Sequence, residues 1–155
     1  MLGPMTESER IADQLRRTFN GDAWHGPALL PLLDGLTAGQ AAFRPAPGVH
    51  NIRELVHHIA TWEEIALRRL QGEACSPTDA EDFPPEGPFD WSECVERARS
   101  VHEALCRAAA AFDPARLDEP AAGETYSNYF LLHGAVQHNV YHAGQIALLR
   151  KLVGG

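Results

Sequence analysis

Four stretches of this chain carry apolar residues at the three-and-four spacing of a single helix face, and each is fenced by its own start and stop signals. That pattern admits helices packed on helices and argues against a sheet. The first stretch opens at Thr6, where Thr6 and Glu9 fit a capping box, and runs through Ile11, Leu15 and Phe19. Gly26 and Pro27 predict a break, after which Leu29, Leu30, Leu32 and Leu33 carry the helix on to Gly35. Pro45 and Pro47 disfavour helix in the loop that follows. The second stretch starts at Asn51, with Glu54 three residues on, and shows Ile52, Leu55, Ile59, Trp62, Ile65 and Leu70. The third, from Trp91 to Phe112, has Asp90 as its N-cap and Val95, Ala98, Val101 and Leu105 as its stripe. The last runs from Ser127 to Leu152, with Arg150 and Lys151 in its final turn, where cations suit the helix dipole.

Residues 73–89 are rich in proline, glycine and acid, which predicts a long crossover loop. In a bundle, such a connection frees the next helix from the direction that a short hairpin imposes. The expected fold is therefore an all-α four-helix bundle with a long crossover between helices two and three, in one domain over 1–155. No apolar run approaches the roughly 18 residues that span a bilayer. The start, MLGPMTESER, lacks the basic and apolar parts of a secretory signal, so a cytoplasmic protein without a membrane partner is expected. The net charge of −8, from 21 acidic and 13 basic residues, speaks against a nucleic-acid partner. Cys75, Cys94 and Cys106 are odd in number and form no C-x-x-C, which predicts reduced, inert thiols.

The histidines carry the chemistry. His138 and His142 stand four apart on the last helix, so they stack on one face about one turn apart. Leu131, Ala135, Gln145, Ile146 and Leu149 share that face, which should turn inward. Two buried imidazoles need partners, and one metal ion satisfies both. A third ligand should come from helix two. Its His57 is surrounded at helical spacing by polar residues, whereas His58 has Leu55, Trp62 and Ile65 beside it, so His58 is the inward one. Glu54, one turn below His58, and Gln145 are candidates to support the ligands through hydrogen bonds. Trp62 and Trp24 are expected in core or pocket wall, and His25 at the helix break could be aimed into the pocket. His102 and His133 fall outside this set. Asn139 sits where a zinc peptidase of the H-E-x-x-H type has its glutamate, so a protease is disfavoured.

The segments HNIRELVHHIATWE, from His50, and HNVYHAGQI, from His138, resemble the second-helix and last-helix motifs of the DinB-like superfamily. That group includes YfiT-like and bacillithiol-transferase-like proteins. AWHGP, from Ala23 to Pro27, is similar to one of its branches. The resemblance covers nearly the whole chain. It implies a four-helix bundle holding one divalent transition metal, zinc or nickel, on three histidines, which fall on His58, His138 and His142. Many members have tryptophan where this chain has His50, which is expected as a local hydrogen-bond partner. Three neutral imidazoles leave a metal its charge and an open position. The resemblance implies an enzyme that transfers a low-molecular-weight thiol to an electrophilic small molecule, with metal-water hydrolysis as a variant and a non-enzymatic metal or small-molecule binding bundle as the alternative. A homodimer is expected.

Overall fold

The computed structural model describes residues 4–154 and is helical, with no strand among the described residues. Four long helices dominate: α1 (Glu7–Phe19), α4 (Ile52–Leu70), α6 (Trp91–Ala111) and α7 (Asn128–Leu152). Three short ones decorate the connections: α2 (Leu29–Leu33), α3 (Ala38–Ala42) and α5 (Asp79–Asp82). Thr6 and Glu9 close the expected capping box on α1, and Asn51 and Glu54 close one on α4. The expected break comes earlier than Gly26: α1 ends at Phe19 and residues 20–28 are non-helical, with Gly26 among them at φ 132°, a conformation that a side chain would resist.

Two segments expected as loop contain a helical turn. In both, a Thr-x-x-Gln/Glu capping box satisfies the first-turn amides: Thr37 with Gln40 starts α3, and Thr78 with Glu81 starts α5. The crossover is not a free loop either. The Glu81 carbonyl accepts from His57 Nε2 at 2.8 Å and from Thr61 Oγ1 at 3.3 Å. The buried Arg69 guanidinium holds its other end through the Cys75 carbonyl, Ser76 Oγ and Tyr126.

Each long helix packs on two others, in the cyclic order α1, α6, α4, α7. The apolar core falls into two clusters. One holds Phe19, Ile59, Ala98, Ala143 and Ile146 with α2 and α3. The other holds Leu15, Ala66, Leu105, Ala109 and Leu132. Between them lies a polar layer to which every long helix contributes one residue: Thr18, Glu63, His102 and Asn139, none more than 3% exposed. Glu63 Oε1 accepts from His102 Nδ1 at 2.8 Å and from Asn139 Nδ2 at 2.7 Å, and Asn139 Nδ2 also reaches Thr18 Oγ1 at 3.0 Å. The layer explains Asn139 and His102, which bind neither each other nor the outer histidines. They hold the Glu63 carboxylate, which is 1% exposed.

Removing one partner of such a network strands the others in a low-dielectric interior. Glu63→Ala should therefore lower unfolding stability by about 3–5 kcal/mol, against less than about 1 kcal/mol for Glu103→Ala on the outer face of α6. Urea unfolding followed by circular dichroism measures both. A loss for Glu63→Ala no larger than for the surface control would remove the layer from its structural role.

Candidate metal centre

The seam between α4 and α7 brings His58, His138 and His142 together. Their nearest ring nitrogens all lie within 4.8 Å of one another. His138 Nε2 is 2.9 Å from His58 Nε2 and 3.1 Å from His142 Nε2. His58 and His142 are 9% and 8% exposed, and His138 is half-buried.

The protons of this cluster can be counted. Asp82 Oδ1 lies 2.5 Å from His58 Nδ1 and can only accept, so it keeps the proton on Nδ1 and leaves His58 Nε2 a bare lone pair. Gln145 Oε1 does the same for His142, accepting from Nδ1 at 2.6 Å. Both bare Nε2 atoms face His138 Nε2, which has one hydrogen at most. Three ring nitrogens thus converge with too few protons to satisfy one another. Nitrogens bound to one tetrahedral ion at about 2.0–2.1 Å stand roughly 3.3 Å apart, close to the spacing found. The residues present fit a divalent transition metal, and these three could hold it.

Protonation is suppressed as ligation requires. Burial pushes the His138 imidazolium down to about 3, helped by the neighbouring His142 and His58. Burial also lowers His58 and His142, in each case against the opposing pull of Asp82 or Gln145. Two of the chain's thiols, Cys94 and Cys106, are poor nucleophiles by contrast. Burial raises Cys94 to about 11, and burial together with the Glu63 charge raises Cys106 to about 12.

Beside His138 opens a cleft of ≈ 180 Å³, walled by Trp62, Ala66, Tyr126, Phe130 and Leu131. Trp62 also meets the His58 ring edge-on, so the expected pocket-wall tryptophan stands at the cluster. On its other side the His58 ring stacks against Phe83, with centroids 4.5 Å apart. Phe83 in turn stacks against His50, which accepts its expected local role through a 3.0 Å contact with Glu54.

Three sequence expectations are corrected. Glu54 does not support His58. It is spent on Arg44, His50 and the Asn51 amide, partners that outweigh its burial and hold its carboxyl below the ordinary value. His25 does not reach the cluster. The AWHGP segment closes on itself through the Gly26 amide and the Ala23 carbonyl, and this surface turn leaves His25 exposed beside Gln14, Arg17 and Val140. Trp24 is fully exposed there and fills no core. Conversely, Asp82 and Phe83 were invisible to helical spacing, since both come from the crossover. The Thr78–Glu81 capping box was the available signal that this segment has a fixed shape.

A carboxylate behind a metal-bound histidine orients the ring and raises its basicity, and its loss weakens metal by about 10–100-fold. Asp82→Ala should bind zinc with that deficit, His58→Ala should fail to bind one equivalent, and Glu54→Gln should bind as the parent does. Competition against a chromophoric chelator gives all three affinities. A Glu54→Gln deficit as large as that of Asp82→Ala would overturn the assignment of support to Asp82.

The family model of the DinB superfamily matches residues 23–146, which includes α4, the crossover and α7 through Ile146. No curated protein matches the chain. With its all-helical fold and the histidines of both matched helices on one seam, the chain belongs to the DinB superfamily.

Proposed function

We propose that this chain is a metal-dependent enzyme that transfers a low-molecular-weight thiol to an electrophilic small molecule, with His58, His138 and His142 as the metal ligands. One observation carries the reading: three proton-poor ring nitrogens converge at the edge of an apolar cleft. A divalent ion held there supplies positive charge that favours the thiolate over the thiol at neutral pH. The protein's own groups do the rest. Asp82 and Gln145 fix the protons of His58 and His142 on Nδ1, so that both Nε2 atoms stay available. Trp62, Phe130 and Leu131 exclude water from one side and receive an apolar fragment of the co-substrate. At ≈ 180 Å³ the cleft is below the roughly 300–1,000 Å³ of drug-sized sites, which suits a small electrophile. Cys94 and Cys106 are too basic to compete as nucleophiles, which accords with a thiol supplied from outside.

Zinc and nickel both suit three imidazoles, and the ligand set does not choose between them. A cytoplasmic location, where low-molecular-weight thiols are abundant and reduced, accords with the reading, as does the absence of any helix long and apolar enough to cross a membrane among the described residues. A non-catalytic metal-holding bundle is the second reading. It draws on the burial of two of the three histidines and on their Nε2 atoms meeting only one another.

Cobalt substitution separates the two. If the site takes a thiol, adding cysteine to the cobalt-loaded protein should produce a sulfur-to-metal charge-transfer band and alter the visible bands, and His58→Ala should show neither. A visible spectrum that cysteine leaves unchanged would refute the transferase reading and favour the metal-holding bundle.

A further inference from the structure

The cleft beside His138 has aromatic walls and a single charge. Trp62, Tyr126 and Phe130 line it with rings, and neither Lys nor Arg lines it. Burial keeps His138 neutral, so of the lining residues Glu63 alone brings a formal charge.

The fold uses only half of that carboxylate. Oε1 takes both donors of the polar layer, from His102 and Asn139. Oε2 has no hydrogen-bond partner, although Glu63 is 1% exposed. An enclosed carboxylate oxygen without a donor is costly. A layer that needed only an acceptor would be served by an uncharged glutamine.

Nothing in the layer matches the charge either. Among the described residues Glu63 pairs with no Lys or Arg, and its ion-pair contact is His102. The Cys106 thiol, pushed up to about 12, keeps its proton and lies with Sγ 3.3 Å from His102 Nε2. With the thiol hydrogen directed at that nitrogen, His102 carries its own hydrogen on Nδ1 and meets Glu63 as a neutral donor. The Arg69 guanidinium, which donates to the Tyr126 hydroxyl, is already matched by Glu124 at 2.6 Å. The carboxylate therefore stands in the interior without a counter-charge.

The walls indicate which cation suits it. Aromatic faces attract an organic ammonium through the ring quadrupole. A carboxylate oxygen takes one of its N–H groups in a charge-assisted bond. A bare calcium or magnesium ion needs several oxygen ligands, which this cleft does not offer. We infer that the cleft beside His138 is the site of a small primary ammonium, with Glu63 Oε2 as its counter-charge and the rings of Trp62, Tyr126 and Phe130 around its alkyl chain. At ≈ 180 Å³ the cleft suits an amine of a few carbons. Because His138 lines the same cleft, one substrate of the proposed transfer carries its free amine close to the atom that reacts. The inference rests on the cleft as the ligand site proposed above, and not on a thiol reaching the metal.

Butylammonium, butanol and butyrate differ mainly in the charge of one end, and each is titrated at pH 7 into the zinc-loaded, nitrogen-15-labelled chain. The indole N–H signal of Trp62 reports binding, with those of Trp24 and Trp91 as controls. Butylammonium should shift the Trp62 signal and bind roughly tenfold or more tightly than butanol, while butyrate should leave the signal in place. Glu63→Gln keeps an oxygen for His102 and Asn139 and should bring butylammonium down to the level of butanol. Ala135→Leu narrows the cleft without touching the polar layer, and it should weaken butylammonium by a similar factor even if Glu63→Gln fails to fold. Equal affinity of the parent for butylammonium and butanol would overturn the inference. So would a preference for butylammonium that survives Glu63→Gln, or one that Ala135→Leu leaves intact. The titration contains no thiol, so its outcome is separate from that of the cobalt experiment.

Discussion

The buried Glu63 carboxylate sets the geometry of this bundle. Apolar stripes tell helices which faces to bury, but they specify axial position weakly, because a slide of one turn, about 5.4 Å, again presents apolar to apolar. The polar layer removes that freedom. Glu63 on α4 must find His102 on α6 and Asn139 on α7, and Asn139 must find Thr18 on α1. A slipped register would leave an enclosed charge without donors, which the interior penalises heavily. Asn139 is the immediate neighbour of His138, and Glu63 lies on the same helix as His58. The contact that fixes α4 against α7 therefore also fixes the distance between His58 and His138. A slide of one turn would destroy both at once.

The crossover supplies what the long helices cannot. A ring that offers Nε2 to a metal needs its other nitrogen occupied, and the helical neighbours of His58 do not provide an acceptor. Asp82 does so from α5. Phe83, the next residue, lies between the rings of His50 and His58 and fixes the plane in which His58 turns. Behind it, His50 is held by Glu54, and Glu54 by Arg44. Glu54 thus anchors His50 and the start of α4 and leaves the support of His58 to Asp82. The acidic, proline-rich composition that reads as flexible linker is here a strap with a defined docking surface, since the Glu81 carbonyl and the Asp82 carboxylate both land on α4.

This explains which parts of the molecule were legible in the sequence. Helix starts are local: Thr6 with Glu9, and Asn51 with Glu54, are boxes of four residues whose bonds close within themselves. The inward face of α4 was legible because His58 and His57 differ in their neighbours at helical spacing. His138, His142 and Gln145 were legible as a group because one turn of one helix carries them. Asp82 was not, because its partner is distant in sequence and composition gives a loop carboxylate no direction. His25 misled for the opposite reason. A proline–glycine break announces that the chain turns, and says nothing about which way. The polar layer is not legible in the sequence either: Thr18, Glu63, His102 and Asn139 form no local pattern, and only the packing of four helices makes them neighbours.

α7 shows why amphipathic patterning alone is an incomplete guide. Its inner arc is divided among apolar core at Leu132 and Ile146, the polar layer at Asn139, and the histidine seam at His138 and His142. The outer arc carries Phe130, Tyr141 and Leu148 and no charge. Polar residues therefore share the inner arc with the apolar core while large apolar ones also lie outside, an inversion of the usual surface helix. That inversion has a physical origin. Ligands and a buried carboxylate's donors must face inward because their partners are there, and the helix has no further face on which to place charge without disturbing either them or the open side. The negative charge of the chain consequently resides on the other elements, α5 and the crossover among them, where Asp82 is the one carboxylate turned toward the histidines. At the α4–α7 seam a cation meets neutral imidazole nitrogens, and selectivity rests on those nitrogens and on the two side chains, Asp82 and Gln145, that set their protons.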